Sequence, residues 1–245
     1  MIITSLYNVP MIICADFDKT VFFRDNVALT AENLAAIKKW RDVDGNVFVL
    51  GSNRSLGSLD RALPDWRQYF DYLILDRGAR IYDSSRKLLW SDMLSRDVIE
   101  RVLEAAKENP VPADSIYCNL DSDDYGSEPT AEMTKIYYHF KNQGELDAFR
   151  LKIAGVDAKV FCWHNSETDY CIEITPSTAG KAMALRVLLG LICVDEGDVV
   201  TVGDGDNDYE MLVEFSGYAI DGSWVAELHP ELPTVTSVAS LLKKS

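Results

Sequence analysis

Met11-Ile12-Ile13-Cys14-Ala15-Asp16-Phe17-Asp18-Lys19-Thr20 is the stretch on which the reading of this chain turns. An uncharged run of apolar or small residues is followed by two carboxylates two positions apart. A short continuous apolar run reads as a strand buried on both faces, as a parallel sheet requires. In open α/β sheets, ligands bind beyond the carboxyl ends of such strands, where Asp16 and Asp18 fall. Carboxylates this close repel each other unless a cation lies between them, so the pair points to a divalent metal. A strand that merely runs into an acidic turn has the same pattern, so the rest of the chain must decide.

Downstream, Leu34, Ile37 and Trp40 recur at helical spacing. That spacing predicts a helix entered at Thr30, with Asn33 as a capping partner, and stopped by Asp44-Gly45. Val47-Phe48-Val49-Leu50 reads as a second buried strand, ending in Gly51-Ser52-Asn53-Arg54-Ser55. Residues 70–75 read as a third strand, closed by Asp76-Arg77-Gly78-Ala79. This alternation starts a doubly wound parallel sheet.

The pattern changes over residues 84–173. Helices are expected at 95–108 and 145–154, and strands at 115–120, 135–140, 159–164 and 170–174. Helix-strand-strand repeated twice describes an antiparallel sheet with helices on one face. The expected division is therefore an α/β core made of residues 1–83 and 174–245, with an inserted α+β domain of residues 84–173. After Pro176 the α/β pattern returns, with a helix opening at Gly180-Lys181 and a buried strand, Asp198-Val199-Val200-Thr201-Val202. That strand runs directly into Gly203-Asp204-Gly205-Asp206-Asn207-Asp208. A helix carrying Tyr209, Met211, Leu212 and Phe215 follows, then a last strand, Gly217-Tyr218-Ala219-Ile220.

Composition narrows the function. Over 245 residues the chain is 47% hydrophobic and 26% charged, which is ordinary for a globular protein. Its formal net charge of -15 argues against nucleic acid or an anionic membrane as a partner. An anionic small substrate would also be repelled at long range, so its site needs local cations. The cysteines (Cys14, Cys118, Cys162, Cys171, Cys193) form no Cys-x-x-Cys pair, and the three histidines show no metal-ligand spacing. Buried, reduced thiols in a cytoplasmic protein are expected. The first residues lack a basic region and are interrupted by Pro10, unlike a signal peptide. The apolar run around residues 187–194 is too short to span a bilayer.

Four clusters fall at strand ends or at a helix start: Asp16/Asp18, Ser52-Asn53, Lys181, and Asp204-Asn207-Asp208. In this order they resemble the haloacid dehalogenase-like superfamily, specifically its Cof-type phosphatases with a cap inserted between the second and third motifs. Asp16-Phe17-Asp18-Lys19-Thr20 matches the family's Asp-x-Asp-x-Thr, and Gly203-Asp204-Gly205-Asp206-Asn207-Asp208 matches its Gly-Asp-x-x-Asn-Asp. The fold this implies is a Rossmann-like core with an α+β cap. The short four-strand cap is similar to that of sucrose-phosphate phosphatases, which implies a phosphosugar substrate.

The roles implied by the resemblance suit phosphoryl transfer, which needs a nucleophile, charge neutralisation and an acid for the leaving group. Asp16 is expected as nucleophile, and Asp18 as the acid that later acts as base, its proton affinity raised by nearby carboxylates. Mg²⁺ is expected on Asp16 and Asp204 with the Asp18 main-chain carbonyl. Ser52, the Asn53 amide, Lys181 and Asn207 are expected on the phosphate. Thr20 closes the first turn, and Asp208 orients Lys181 or a metal-bound water.

Three departures from the family pattern stand out. Lys19 replaces a glycine, Ser52-Asn53-Arg54 replaces Thr-Gly-Arg, and Asp221-Gly222-Ser223 replaces Gly-Asn-Ala. None removes a catalytic group. The expected function is a Mg²⁺-dependent phosphatase acting on a small phosphorylated metabolite, with specificity in the polar loop at 121–132. A phosphomutase and a non-catalytic sugar-phosphate binder share the same outline. Oligomeric state is not legible.

Overall fold

The computed structural model describes residues 11–243. The expectation that turned on Pro10 lies outside them.

Strand β1 (Ile12–Asp16) is buried at every position. Helix α1 (Val27–Arg41) follows, then β2 (Val47–Gly51), α2 (Leu56–Ala62) and β3 (Tyr72–Leu75). A hairpin of β4 (Arg80–Asp83) and β5 (Leu88–Ser91) leads to α3 (Arg96–Lys107), β6 (Asp114–Asn119) and β7 (Met133–Phe140). Next come α4 (Gln143–Lys152), β8 (Ala158–Ser166), β9 (Asp169–Pro176) and α5 (Lys181–Ile192). The chain closes with β10 (Val199–Gly203), α6 (Tyr209–Glu214), β11 (Tyr218–Ile220), α7 (Trp224–Leu228), β12 (Thr234–Val235) and α8 (Val238–Leu242).

The first sheet has the order β12-β11-β10-β1-β2-β3-β4-β5 and is parallel up to β3. Alternation along β1 explains its two covered faces. Ile13 and Ala15 pack with α1, α2 and α8 side chains such as Trp40, Leu59 and Leu241. Ile12 and Cys14 pack with α5 and α6 side chains such as Leu185, Leu188 and Met211. Burying each large aliphatic side chain contributes roughly 1.5–3 kcal/mol, which fixes this register against a one-residue slip.

The second sheet, ordered β6-β7-β9-β8, is antiparallel throughout. Ile136, Tyr138, Phe140, Ile172 and Ile174 face α3 and α4 in a core of their own. The alternate residues, among them Lys135, Tyr137 and Glu173, therefore face away from the helices.

Several details differ from the sequence reading, which did not foresee α2 or the α7, β12 and α8 that follow its last strand. Helix α1 starts at Val27, because Asn26 caps it by accepting from Leu29 N at 3.0 Å. Thr30 and Asn33 lie inside that helix. Asn33 donates to Thr20 O and Val21 O and accepts from Ala239 N, so its amide ties the turn after β1 to α8. The β4–β5 hairpin was not anticipated, and β5 belongs to the first sheet although it falls within residues 84–173. Its strands are too short to show a period, and Tyr82 pairs with Leu88 across an irregular register. Among the described residues, no helix is long and apolar enough to cross a membrane. All five cysteines are free, but only Cys14, Cys118 and Cys171 are buried, whereas Cys162 and Cys193 are exposed.

Candidate active site

Three adjacent parallel strands, β10, β1 and β2, deliver Asp204, Asp16 and Ser52 to the same edge of the sheet. This is the edge at which open α/β sheets bind ligands. Lys181 is the first residue of α5 and is 2% exposed. Its Nζ donates to Asp16 Oδ1 and, at 2.6 Å, to Asp208 Oδ1. The other oxygen of Asp208 accepts from the backbone of Asp204 and Gly205 at 3.2 and 3.0 Å, which locks the loop after β10. Thr20 Oγ1 donates to Asp204 Oδ1 at 3.1 Å. Gly203 permits this packing, because a Cβ there would lie 2.6 Å from Asp208 side-chain atoms.

Carboxylate oxygens of Asp16, Asp204 and Asp208 lie within 4.8 Å of one another. Burial, with the nearby Asp208 and Asp204 carboxylates, pushes Asp16 up against the opposing pull of Lys181. Burial and Asp208 likewise raise Asp204. For Lys181 burial acts the other way, and Asp16 and Asp208 outweigh it to hold the ammonium charged. Three carboxylates thus share one buried cation, a deficit of positive charge that a divalent ion would relieve. Hard oxygen donors alone make up this set, which fits Mg²⁺.

Asp18 is not part of that cluster. Its carboxylate is gripped through both oxygens by Arg54, at 2.8 and 2.7 Å, and Arg54 in turn lies over the Phe17 ring. The expected crowd of carboxylates around Asp18 is thus replaced by a guanidinium. Ser52 is buried and its Oγ accepts from Arg54 N at 3.2 Å. Asn53 Oδ1 accepts from Asn207 Nδ2 at 3.4 Å, bringing those two expected phosphate contacts together.

A cavity of about 390 Å³ opens beside Asp18, Asn53 and Arg54, with the second sheet contributing Lys135, Tyr137 and Glu173. Lys135 donates to Asn53 O at 2.9 Å and sits 3.5 Å from Glu173, which also pairs with Arg77 of the turn after β3. Burial opposes the charge of Glu173, but Lys135 and Arg77 outweigh it and hold the carboxyl below its ordinary range. Sequence reasoning missed Arg54, Arg77, Lys135 and Glu173. Their one signal is charge in otherwise apolar strands or at strand ends, and their partners lie far along the chain. The polar loop expected to meet substrate is largely engaged elsewhere. Asp124 takes Arg61 and Ser55, Asp123 takes Arg86, and Gly57 N donates to Asp123 O. Tyr125 alone of that loop lines the cavity.

A family model described as haloacid dehalogenase-like hydrolase matches residues 13–127 and 118–221. The HMP-PP phosphatase of Escherichia coli K12 is 29% identical over 185 residues, 66% of each chain, so the match spans just under two thirds of that relative. The 5-amino-6-(5-phospho-D-ribitylamino)uracil phosphatase of Bacillus subtilis is 23% identical over 241 residues, 86% of each chain. A crystal structure of a haloacid dehalogenase-like hydrolase from Bacteroides thetaiotaomicron shares the fold. Its TM-score is 0.74 at 18% identity, covering 96% of this chain and 98% of that one. The family match begins inside β1, ends beyond β11 and encloses every member of the carboxylate–lysine cluster. The chain belongs to the haloacid dehalogenase-like hydrolases.

Proposed function

We propose that this protein is a Mg²⁺-dependent phosphatase of small phosphomonoesters, with a sugar phosphate as substrate and the cytoplasm as its place of work. The observation that carries the reading is Lys181 Nζ bridging Asp16 and Asp208 beside Asp204, at the end of three parallel strands. A buried carboxylate beside a fixed ammonium suits a nucleophile whose target brings negative charge with it.

In this reading an oxygen of Asp16 attacks phosphorus and the bond to the leaving oxygen breaks, giving an aspartyl-phosphate. Asp18 protonates the leaving alkoxide, then takes a proton from the water that hydrolyses the intermediate and regenerates Asp16. Because Arg54 clamps both oxygens of Asp18, proton delivery requires that clamp to open, while the clamped form suits the second step. Lys181, Ser52, the Asn53 amide and Asn207 hold phosphate oxygens. Mg²⁺, held by Asp16, Asp204 and the Asp18 carbonyl, supplies further charge neutralisation when bound.

Residues 84–173, apart from the hairpin strand β5, serve as the cap that selects the leaving group. The cavity at the seam supports this, since residues that follow β1, β2 and β3 line it together with strands of the second sheet. The Bacillus subtilis relative is named for a phosphate carried on a ribityl chain, which supports a polyhydroxylated carbon skeleton. Five free cysteines suit a reducing compartment.

The test is release of inorganic phosphate from p-nitrophenyl phosphate, then from a panel of sugar phosphates. Activity should require Mg²⁺ and vanish in Asp16→Asn with an unchanged circular dichroism spectrum. Wild-type-like turnover in Asp16→Asn would overturn the mechanism. Turnover only in the presence of a bisphosphate activator would make the protein a mutase.

A further inference from the structure

The second sheet carries a group of side chains that the phosphatase reading does not use. His139 on β7 and Cys171 on β9 are direct cross-strand partners. Asp169 lies two residues before Cys171, and so on the same face of β9. That face is the one turned away from α3 and α4. Pairing therefore gathers an imidazole, a carboxylate and a thiol that are scattered in sequence. His139 Nδ1 is 2.5 Å from Asp169 Oδ1, and Cys171 Sγ is 3.6 Å from each of those atoms.

We infer that His139 Nδ1, Asp169 Oδ1 and Cys171 Sγ form a second metal site, selective for a borderline-soft divalent ion of the Zn²⁺ class and separate from the Asp16–Asp204 cluster. Nitrogen, sulfur and carboxylate oxygen are the ligand types that Zn²⁺ takes, commonly three from protein with a fourth position open. With metal–nitrogen and metal–sulfur distances of about 2.0 and 2.3 Å, a tetrahedral ion sets sulfur about 3.5 Å from nitrogen. Both sulfur edges of the triangle already have that length. The nitrogen–oxygen edge, now a hydrogen bond, must open by about 0.8 Å to reach tetrahedral spacing. On binding, the imidazole proton moves from Nδ1 to Nε2 and the thiol proton leaves to solvent.

Asn165 supports the arrangement. Its Nδ2 donates to Asp169 Oδ2 at 2.8 Å and to Cys171 Sγ at 3.3 Å, two of the three proposed ligands at once. Donors of this kind orient metal ligands and stabilise a thiolate. A thiolate that receives Asn165 and shares an ion with His139 and Asp169 leaves all three groups partnered. Hard ions gain little from a sulfur donor, so Mg²⁺ should ignore this site. The site also adjoins the cavity wall, with the Tyr137 ring 4.6 Å from the His139 ring and 5.4 Å from that of Trp163. Metal bound here would stiffen that wall.

The experiment uses the full chain, freed of metal by a chelator and kept reduced by a phosphine, titrated with Co²⁺. One equivalent should produce the near-ultraviolet thiolate-to-cobalt charge-transfer band, which Zn²⁺ then bleaches and Mg²⁺ does not. Cys171→Ser and Asp169→Asn should lose the band, and Asn165→Ala should weaken binding by about 10–100-fold. Cys162→Ser and Asp204→Asn should retain it. Asp169 is partly exposed, so Asp169→Asn keeps the test decisive even where Cys171→Ser fails to fold. No thiolate band in the wild type, or a band that survives in Cys171→Ser or Asp169→Asn, would overturn the site.

Discussion

Lys19 shows how a single residue can fit a family pattern through backbone alone. It stands where a glycine is usual and adopts φ 63°, the left-handed region that costs a side-chain-bearing residue roughly 1–2 kcal/mol. The turn holds it there, because Lys19 N donates to Phe22 O at 2.8 Å. Lys19→Gly should therefore raise stability by about 0.5–1 kcal/mol after the added freedom of the unfolded chain is discounted. A urea midpoint that moves down instead would show that the lysine side chain makes a compensating contact. At this scale the sequence was informative where roles are contiguous. Asp16, Thr20, Asp204 and Asp208, each inside a contiguous motif, lie together. Asp18 and Arg54 are 36 residues apart, and no spacing rule links them. The same holds for His139 and Cys171, joined by strand register and not by sequence.

Elements were legible where a period is long enough to see. The buried strands β1, β2 and β10 show as apolar runs, and α3 and α5 fall within a residue or two of expectation. The start of α1 was misplaced because Thr30 and Asn33 look like caps, while tertiary bonds to the turn after β1 claim both side chains. What joins β9 to the first sheet is charge, and charge between distant strands leaves no period. Glu173 on β9 is held by Lys135 of β7 and Arg77 of the turn after β3. Its ordinary value is 4.5 and its folded value lies lower. A depressed carboxyl contributes stability that is full above 4.5 and lost as pH falls through the folded value. Glu173→Gln should thus cost about 3 kcal/mol at neutral pH, because it leaves the buried Lys135 and the partly buried Arg77 short of a partner. The gap between variant and wild type should narrow in urea titrations as pH falls below 4.5. A gap independent of pH would mean that Glu173 acts through shape and not charge.

The whole molecule places its most interior strand in a position with a consequence for how the protein is made. β1 lies between β2, which follows closely, and β10, which comes only after the entire second sheet and α5. Chains emerge from the ribosome amino end first, and domains tend to fold in that order. For most of synthesis β1 would show a bare row of amides and carbonyls along a flat apolar edge, the form of strand most prone to wrong pairing. The second sheet, with its own core and local antiparallel connections, can close while that edge waits. Nascent chains halted at residue 193 should accordingly be captured by a holdase chaperone and cut rapidly by protease within residues 11–83, with the segment 95–176 surviving longer. Chains released after residue 243 should resist cleavage in both parts. Equal resistance at the two lengths would mean that β1 is shielded before its second neighbour is synthesised.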